Sequence, residues 1–164
     1  MQLQDGLFFN GIIQIVAQNP LTGDCELLFN DHNVITRVGR TEVNRALAGV
    51  QTLPSVTHMV LGQGGSNTGV AADTDKVVNT PTYTKPVYTY VSPLVDGVSL
   101  YTRFSITLEE HEYNNYGWFD ELGLKLSNEI FFARRVVTKQ DGVTLDKITK
   151  IPGLILNLFW TIGC

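Results

Sequence analysis

Apolar and polar positions alternate along much of this chain, and the alternation predicts strands. Across Val98–Leu108, Val98, Leu100, Thr102, Phe104, Ile106 and Leu108 share one face, and Ser99, Tyr101, Arg103, Ser105 and Thr107 share the other. A sustained period of two marks a half-buried strand. Glu121–Leu126 repeats it with Leu122, Leu124 and Leu126, Ser127-Asn128 turns the chain, and Ile130–Val137 returns. Near the start, Gly11–Ala17 and Cys25–Phe29 are predicted to form a hairpin around Asn19-Pro20-Leu21-Thr22-Gly23-Asp24. There Pro fixes one backbone angle and Gly supplies another. Thr57–Leu61 reads as a short strand, Gly62–Asp75 as loop, and Thr82–Val91 as one strand that Pro86 restricts to an edge or a bulge.

One segment has the helical period. Val43, Ala46, Leu47 and Val50 fall at i, i+3, i+4 and i+7, which predicts an amphipathic helix over about 37–49. Gly49 is placed to stop it, and Gly39 weakens its first turns. A charged loop, Thr138–Lys147, precedes the last strand, Leu154–Ile162. That strand sets Leu154, Leu156, Leu158, Trp160 and Ile162 on one face, and Ile155, Asn157, Phe159 and Thr161 on the other. A strand apolar on both faces is covered on both. Either the lone helix or another protein can supply the second cover. Strands without βαβ alternation predict a mainly β protein: a single domain over residues 1–164, built as an antiparallel β-sandwich with one helix at a side or end.

Composition adds a functional hint. Charged residues make up 17% of the 164 positions, against about 25% in ordinary soluble domains. A surface so low in charge suits burial against neighbours. The net charge of −4 argues against coating nucleic acid, which needs clustered Lys and Arg. Met1-Gln2-Leu3-Gln4-Asp5 lacks the basic and apolar regions of a signal peptide. No apolar run reaches the roughly 18 residues of a membrane span. Cys25 and Cys164 have no paired metal-ligand spacing and fit synthesis in a reducing cytoplasm.

Candidate chemistry is sparse. His32, His58 and His111 form no metal array. Glu109-Glu110-His111-Glu112 is the densest ionisable cluster and is weighed as a cation site against a solvated loop; adjacent residues of an extended chain point apart, which favours the loop. Asp73 and Asp75 lack the Gly and distal Glu of a calcium loop, and Gly62-Gln63-Gly64-Gly65 lacks the spacing of a phosphate turn. No Gly-x-Ser-x-Gly elbow occurs. The chain is therefore expected to have no catalytic, cofactor or metal residues. Tyr116 and Trp118 flank Gly117 in a polar loop, where aromatics cap a core, anchor a protein interface or stack on sugars. Leu7, Phe8 and Phe9 make the 1–9 segment a candidate docking arm, and Ile155 and Phe159 are the candidate interface of the last strand.

An ordered set of short motifs adds a resemblance. Asn33-Val34-Ile35-Thr36 is followed by Gly39-Arg40 and Arg45-Ala46-Leu47-Ala48-Gly49. Then come Val60-Leu61-Gly62-Gln63-Gly64, Asp73-Thr74, Glu121-Leu122-Gly123-Leu124, Phe132-Ala133-Arg134, Lys150 and Trp160-Thr161-Ile162. Together, from Asn33 to Ile162, they resemble a domain of tailed-bacteriophage tail, baseplate and tail-fibre-associated proteins. The resemblance implies a non-catalytic virion protein of the tail, baseplate or collar. It would be made in the host cytoplasm and act as an adaptor that attaches fibres or neighbouring tail proteins. Cyclic tail symmetry makes a three-fold or six-fold homo-oligomer the expected form. The competing reading is a receptor- or carbohydrate-binding sandwich of a fibre tip. In either case Glu121 and Arg134 are placed for a charge-assisted contact across their hairpin.

Overall fold

The computed structural model describes residues 10–65, 78, 80–95, 98–99 and 101–163. The strands are β1 (Asn10–Gln18), β2 (Cys25–His32), β3 (Val34–Ile35), β4 (Val56–Gly62), β5 (Pro81–Pro86), β6 (Tyr88–Val91), β7 (Leu94–Val95) and β8 (Val98–Ser99). They continue as β9 (Tyr101–Leu108), β10 (Trp118–Phe119), β11 (Glu121–Leu126), β12 (Phe131–Val136), β13 (Ile148–Thr149) and β14 (Ile155–Gly163). The helix α1 (Arg37–Leu47) lies between β3 and β4.

Two five-stranded sheets, ordered β2-β1-β14-β9-β6 and β3-β12-β11-β4-β5, carry the fold, and every pairing in them is antiparallel. Ile13, Ile15, Ile106, Leu108, Leu156, Leu158 and Trp160 of the first sheet meet Met59, Leu61, Leu122, Leu124 and Ala133 of the second in one core. This is the mainly β sandwich with one helix that the alternation predicts. An ion pair between Arg135 on β12 and Asp31 on β2 ties the sheets together at one side, and Thr138 also accepts from Arg135 at 3.1 Å.

Two of the strand readings change. Thr82–Val91 is two strands rather than one: β5 pairs with β4 in the second sheet, and β6 pairs with β9 in the first. Pro86 ends β5, and the chain crosses between sheets at Val87, whose N–H donates to Thr57 O at 3.0 Å. The long alternation of 98–108 is likewise divided, since β8 pairs with β7 while β9 pairs with β14 and β6.

The helix is where expected, but its buried residues are Gly39, Glu42 and Val43. Leu47 and Val50 are 67% and 65% exposed. Gly39 is the contact point with the sheet: a Cβ there would lie 2.4 Å from Phe132 O. Thr36 hangs the helix from β12, because its hydroxyl accepts from Gly39 N and donates to Phe131 O. Gly49, at φ +69°, ends it as predicted, with its N–H donating to Ala46 O and that of Val50 to Arg45 O.

β14 is central, between β1 and β9. Its helix-cover reading does not hold, because α1 packs on β12 of the other sheet. Among the described residues no helix is long and apolar enough to cross a membrane.

Candidate functional site

Several polar groups in the motifs between Asn33 and Ile162 are used internally. Glu121 is fully buried and accepts from Arg134 at 2.6 Å, so the hairpin contact forms. Its other carboxylate oxygen accepts from Gly64 N at 3.1 Å, and Gly65 N donates to Asp120 at 2.8 Å. Gly62 has no room for a side chain, since a Cβ would sit 2.5 Å from Glu121 Oε1. Gln63 then donates to the carbonyls of Tyr116 and Trp118. The Gly-rich turn is thus clamped onto 116–121. Lys150 is nearly fully buried and donates to Leu154 O at 2.6 Å and to Glu110 O, Ile151 O and Asn114 Oδ1 at 3.3 Å. Burial pushes its ammonium pKa down. One lysine thereby joins the 110–114 loop to the entry of β14.

The acidic cluster lies in a turn rather than on an extended chain, with Glu112 N–H donating to Glu109 O at 3.0 Å. Glu109, Glu110 and His111 are exposed, whereas Glu112 turns inward to Lys85 at 2.5 Å and Tyr83 at 2.9 Å. Burial works to raise the Glu112 pKa. Hydrogen bonds from Lys85, Glu109 N and Tyr83 outweigh it and hold the carboxyl at about 2. Among the described residues no group of three His, Cys, Asp or Glu side chains could hold a metal ion. Asp73 and Asp75 lie outside the described residues.

Tyr113 adopts φ +64° and centres an aromatic knot with Tyr83, Tyr116 and Phe119 at centroid distances of 5.6, 5.0 and 5.8 Å. Burial drives its hydroxyl pKa up to about 12. Tyr116 lies on the rim of this knot and is 45% exposed. Trp118 is half-buried on β10, with Lys147 Nζ 5.2 Å above its ring. Ile155 and Phe159 lie elsewhere, half-buried on the outer face of the first sheet. Leu7, Phe8 and Phe9 lie outside the described residues.

The two sheets differ in outer cover. All six residues of β12 are buried, and Val60, Val78 and Phe131 form a second small cluster beyond it. The outer face of the first sheet is more open. It presents Ile12, Gln14 and Val16 from β1, Ile155 and Phe159 from β14, and Tyr88 and Tyr90 from β6. Ile12 is 43% and Tyr88 72% exposed. Arg103 crosses this face, its guanidinium 5.6 Å from both the Tyr101 and Phe159 rings and its Nε donating to Thr161 at 3.2 Å. An aromatic and aliphatic surface with one immobilised arginine has the composition of protein interfaces. It offers no converging nucleophile and base.

No protein-family model, curated protein or solved structure matches this chain. Its function is therefore read from its own surfaces.

Proposed function

We propose that this protein is a structural component of a bacteriophage tail, baseplate or collar. It oligomerises and attaches fibres or neighbouring tail proteins by burying the outer face of its first sheet. The unequal cover of the two sheets carries this reading: the second sheet is buried along β11 and β12, and the first leaves Ile155, Phe159, Ile12 and Tyr88 on one outer face. The virion assignment rests on the ordered motifs from Asn33 to Ile162. Several of their residues (Gly62, Gly64, Glu121, Arg134 and Trp160) are buried framework, which fits a family whose signature is packing rather than catalysis.

Tail particles assembled with Phe159→Asp protein test the reading. The substitution sits on the half-buried outer face, so the variant is expected to fold and to fail to incorporate. Normal incorporation overturns the proposed face.

Exposure of Tyr116 beside Trp118 favours a second reading, a glycan- or receptor-binding tip. Loss of cell or glycan-array binding on Trp118→Ala would support it, and unchanged binding would remove it.

A further inference from the structure

Sheet edges separate this chain's strands into two kinds. Unpaired edges invite strands from other chains, and proteins blunt them with brevity, proline or cover. β3 has two residues and runs straight into α1. β5 begins and ends on proline, and β6 has four residues between Pro86 and Pro93. β2 is the exception among the described residues. It has eight residues, no proline, mostly exposed positions, and β1 as its only strand partner. Its edge opens onto a groove of about 630 Å³ between Leu27–Asp31 and the loop at Thr138–Gly142 and Asp146. A second hollow of about 260 Å³ continues it beneath Leu28 and Phe29 toward Ile151 and Leu154. A strand with an open edge beside a groove lined by Leu27 and Phe29 and by the polar Asn30, Lys139 and Gln140 is the geometry of strand addition.

We propose that the β2 edge accepts an added strand, and that this strand is the 1–9 segment of a second copy of the chain. The proposal rests on the assembly reading above and names one of its contacts. Three observations select this occupant. Residues 1–9 have a strand period: Met1, Leu3, Leu7 and Phe9 share one side with Asp5, and Gln2, Gln4, Gly6 and Phe8 share the other. Their length matches the eight residues of β2. They join β1 at Asn10, and Asn33, which follows directly on β2, packs its side chain on Gly11 while its N–H donates to Gly11 O at 3.0 Å. That junction fixes the point from which the segment departs, at the start of β1 beside the end of β2. Pairing of two β2 edges would instead set the exposed Glu26 of one copy against the other's β2, where Asp31 is already held by Arg135. The 1–9 segment brings only Asp5, and Lys139 on the far wall supplies a cation for it. A contact in which one copy's segment enters another's groove is heterologous, so it closes into rings when the rotation permits.

The test compares the full chain with a chain lacking residues 1–9, whose core is complete in the described residues. Sedimentation over a range of concentrations is expected to show the full chain oligomeric and the shortened chain monomeric. A synthetic peptide of residues 1–10, spin-labelled at position 3, is then titrated into the labelled shortened chain. Broadening of amide signals confined to Leu27–Asp31 and Thr138–Gly142 supports the proposal. Broadening at Ile155–Phe159 overturns it while leaving the assembly reading intact, as does an oligomer that persists without residues 1–9. A full chain that stays monomeric with its groove closed to the peptide shows occupancy by its own segment and overturns exchange between copies. The assembly reading fails separately, when neither form enters tail particles.

Discussion

At Glu112 and Lys85 the balance of burial against pairing sets a measurable pH dependence. The carboxyl is held at about 2, below its ordinary 4.5. A depressed folded-state pKa stabilises the protein fully above the ordinary value and loses that contribution as pH falls. Stability should therefore drop by roughly 2 to 3 kcal/mol between about pH 4.5 and pH 2 from this group, after allowance for solvent screening. Urea unfolding across that range should show the drop, and Glu112→Gln should flatten it. At Gly39, helix propensity alone favours alanine by about 1 kcal/mol. The close approach reverses the sign, because the new Cβ would lie 2.4 Å from Phe132 O and 2.9 Å from its Cα. Gly39→Ala is expected to cost about 1 to 3 kcal/mol, and a stabilised variant in thermal melts would refute that packing. Lys150→Met should cost roughly 2 kcal/mol, since it leaves buried carbonyls without their donor; urea midpoints unchanged from the parent would show those bonds to be dispensable.

The β11–β12 hairpin depends on a charge that is not on the solvent side. Arg134 and Glu121 are respectively 2% and 0% exposed. Removing one partner of such a pair leaves a buried charge and costs about 3 to 5 kcal/mol. Arg134→Met should show that loss in denaturant unfolding, and adding Glu121→Gln should recover part of it. A double variant no better than the single would mean that the pair is not coupled. The helix illustrates how far a period can mislead. Val43, Ala46, Leu47 and Val50 form a stripe, yet the sheet is met by Gly39, Glu42 and Val43. Glu42 is buried because its carboxylate accepts from Gln51 at 2.6 Å and Asn128 at 3.0 Å. Asn128 is distant in sequence and Gln51 lies past the helix end, so the helical period announces neither. β5 and β6 make the same point: Pro86 was legible as an interruption, but not as the place where the chain changes sheets.

For the whole molecule, the two sheet faces make separable predictions about folding and assembly. Phe159→Asp on the half-buried outer face should cost about 1 kcal/mol, the scale of a strand-propensity change with loss of a partly buried ring beside Arg103. The adjacent inward change Leu158→Ala should cost about 2 to 5 kcal/mol. Comparable destabilisation by both would place the outer face inside the fold rather than on an interface. Sequence alone determined the mainly β class, the antiparallel alternation, the helix and its glycine stop, and the two-sided apolarity of the last strand. Each follows from local periodicity or from a single residue's backbone preference. Only the tertiary structure decided that β14 is central, that the helix covers the other sheet, and that β2 is, among the described residues, the long open edge. Sheet order, and the pairing of charges such as Asp31 with Arg135, come from which strands meet across long loops. That choice is made by the summed burial of the whole core, and no single segment carries it.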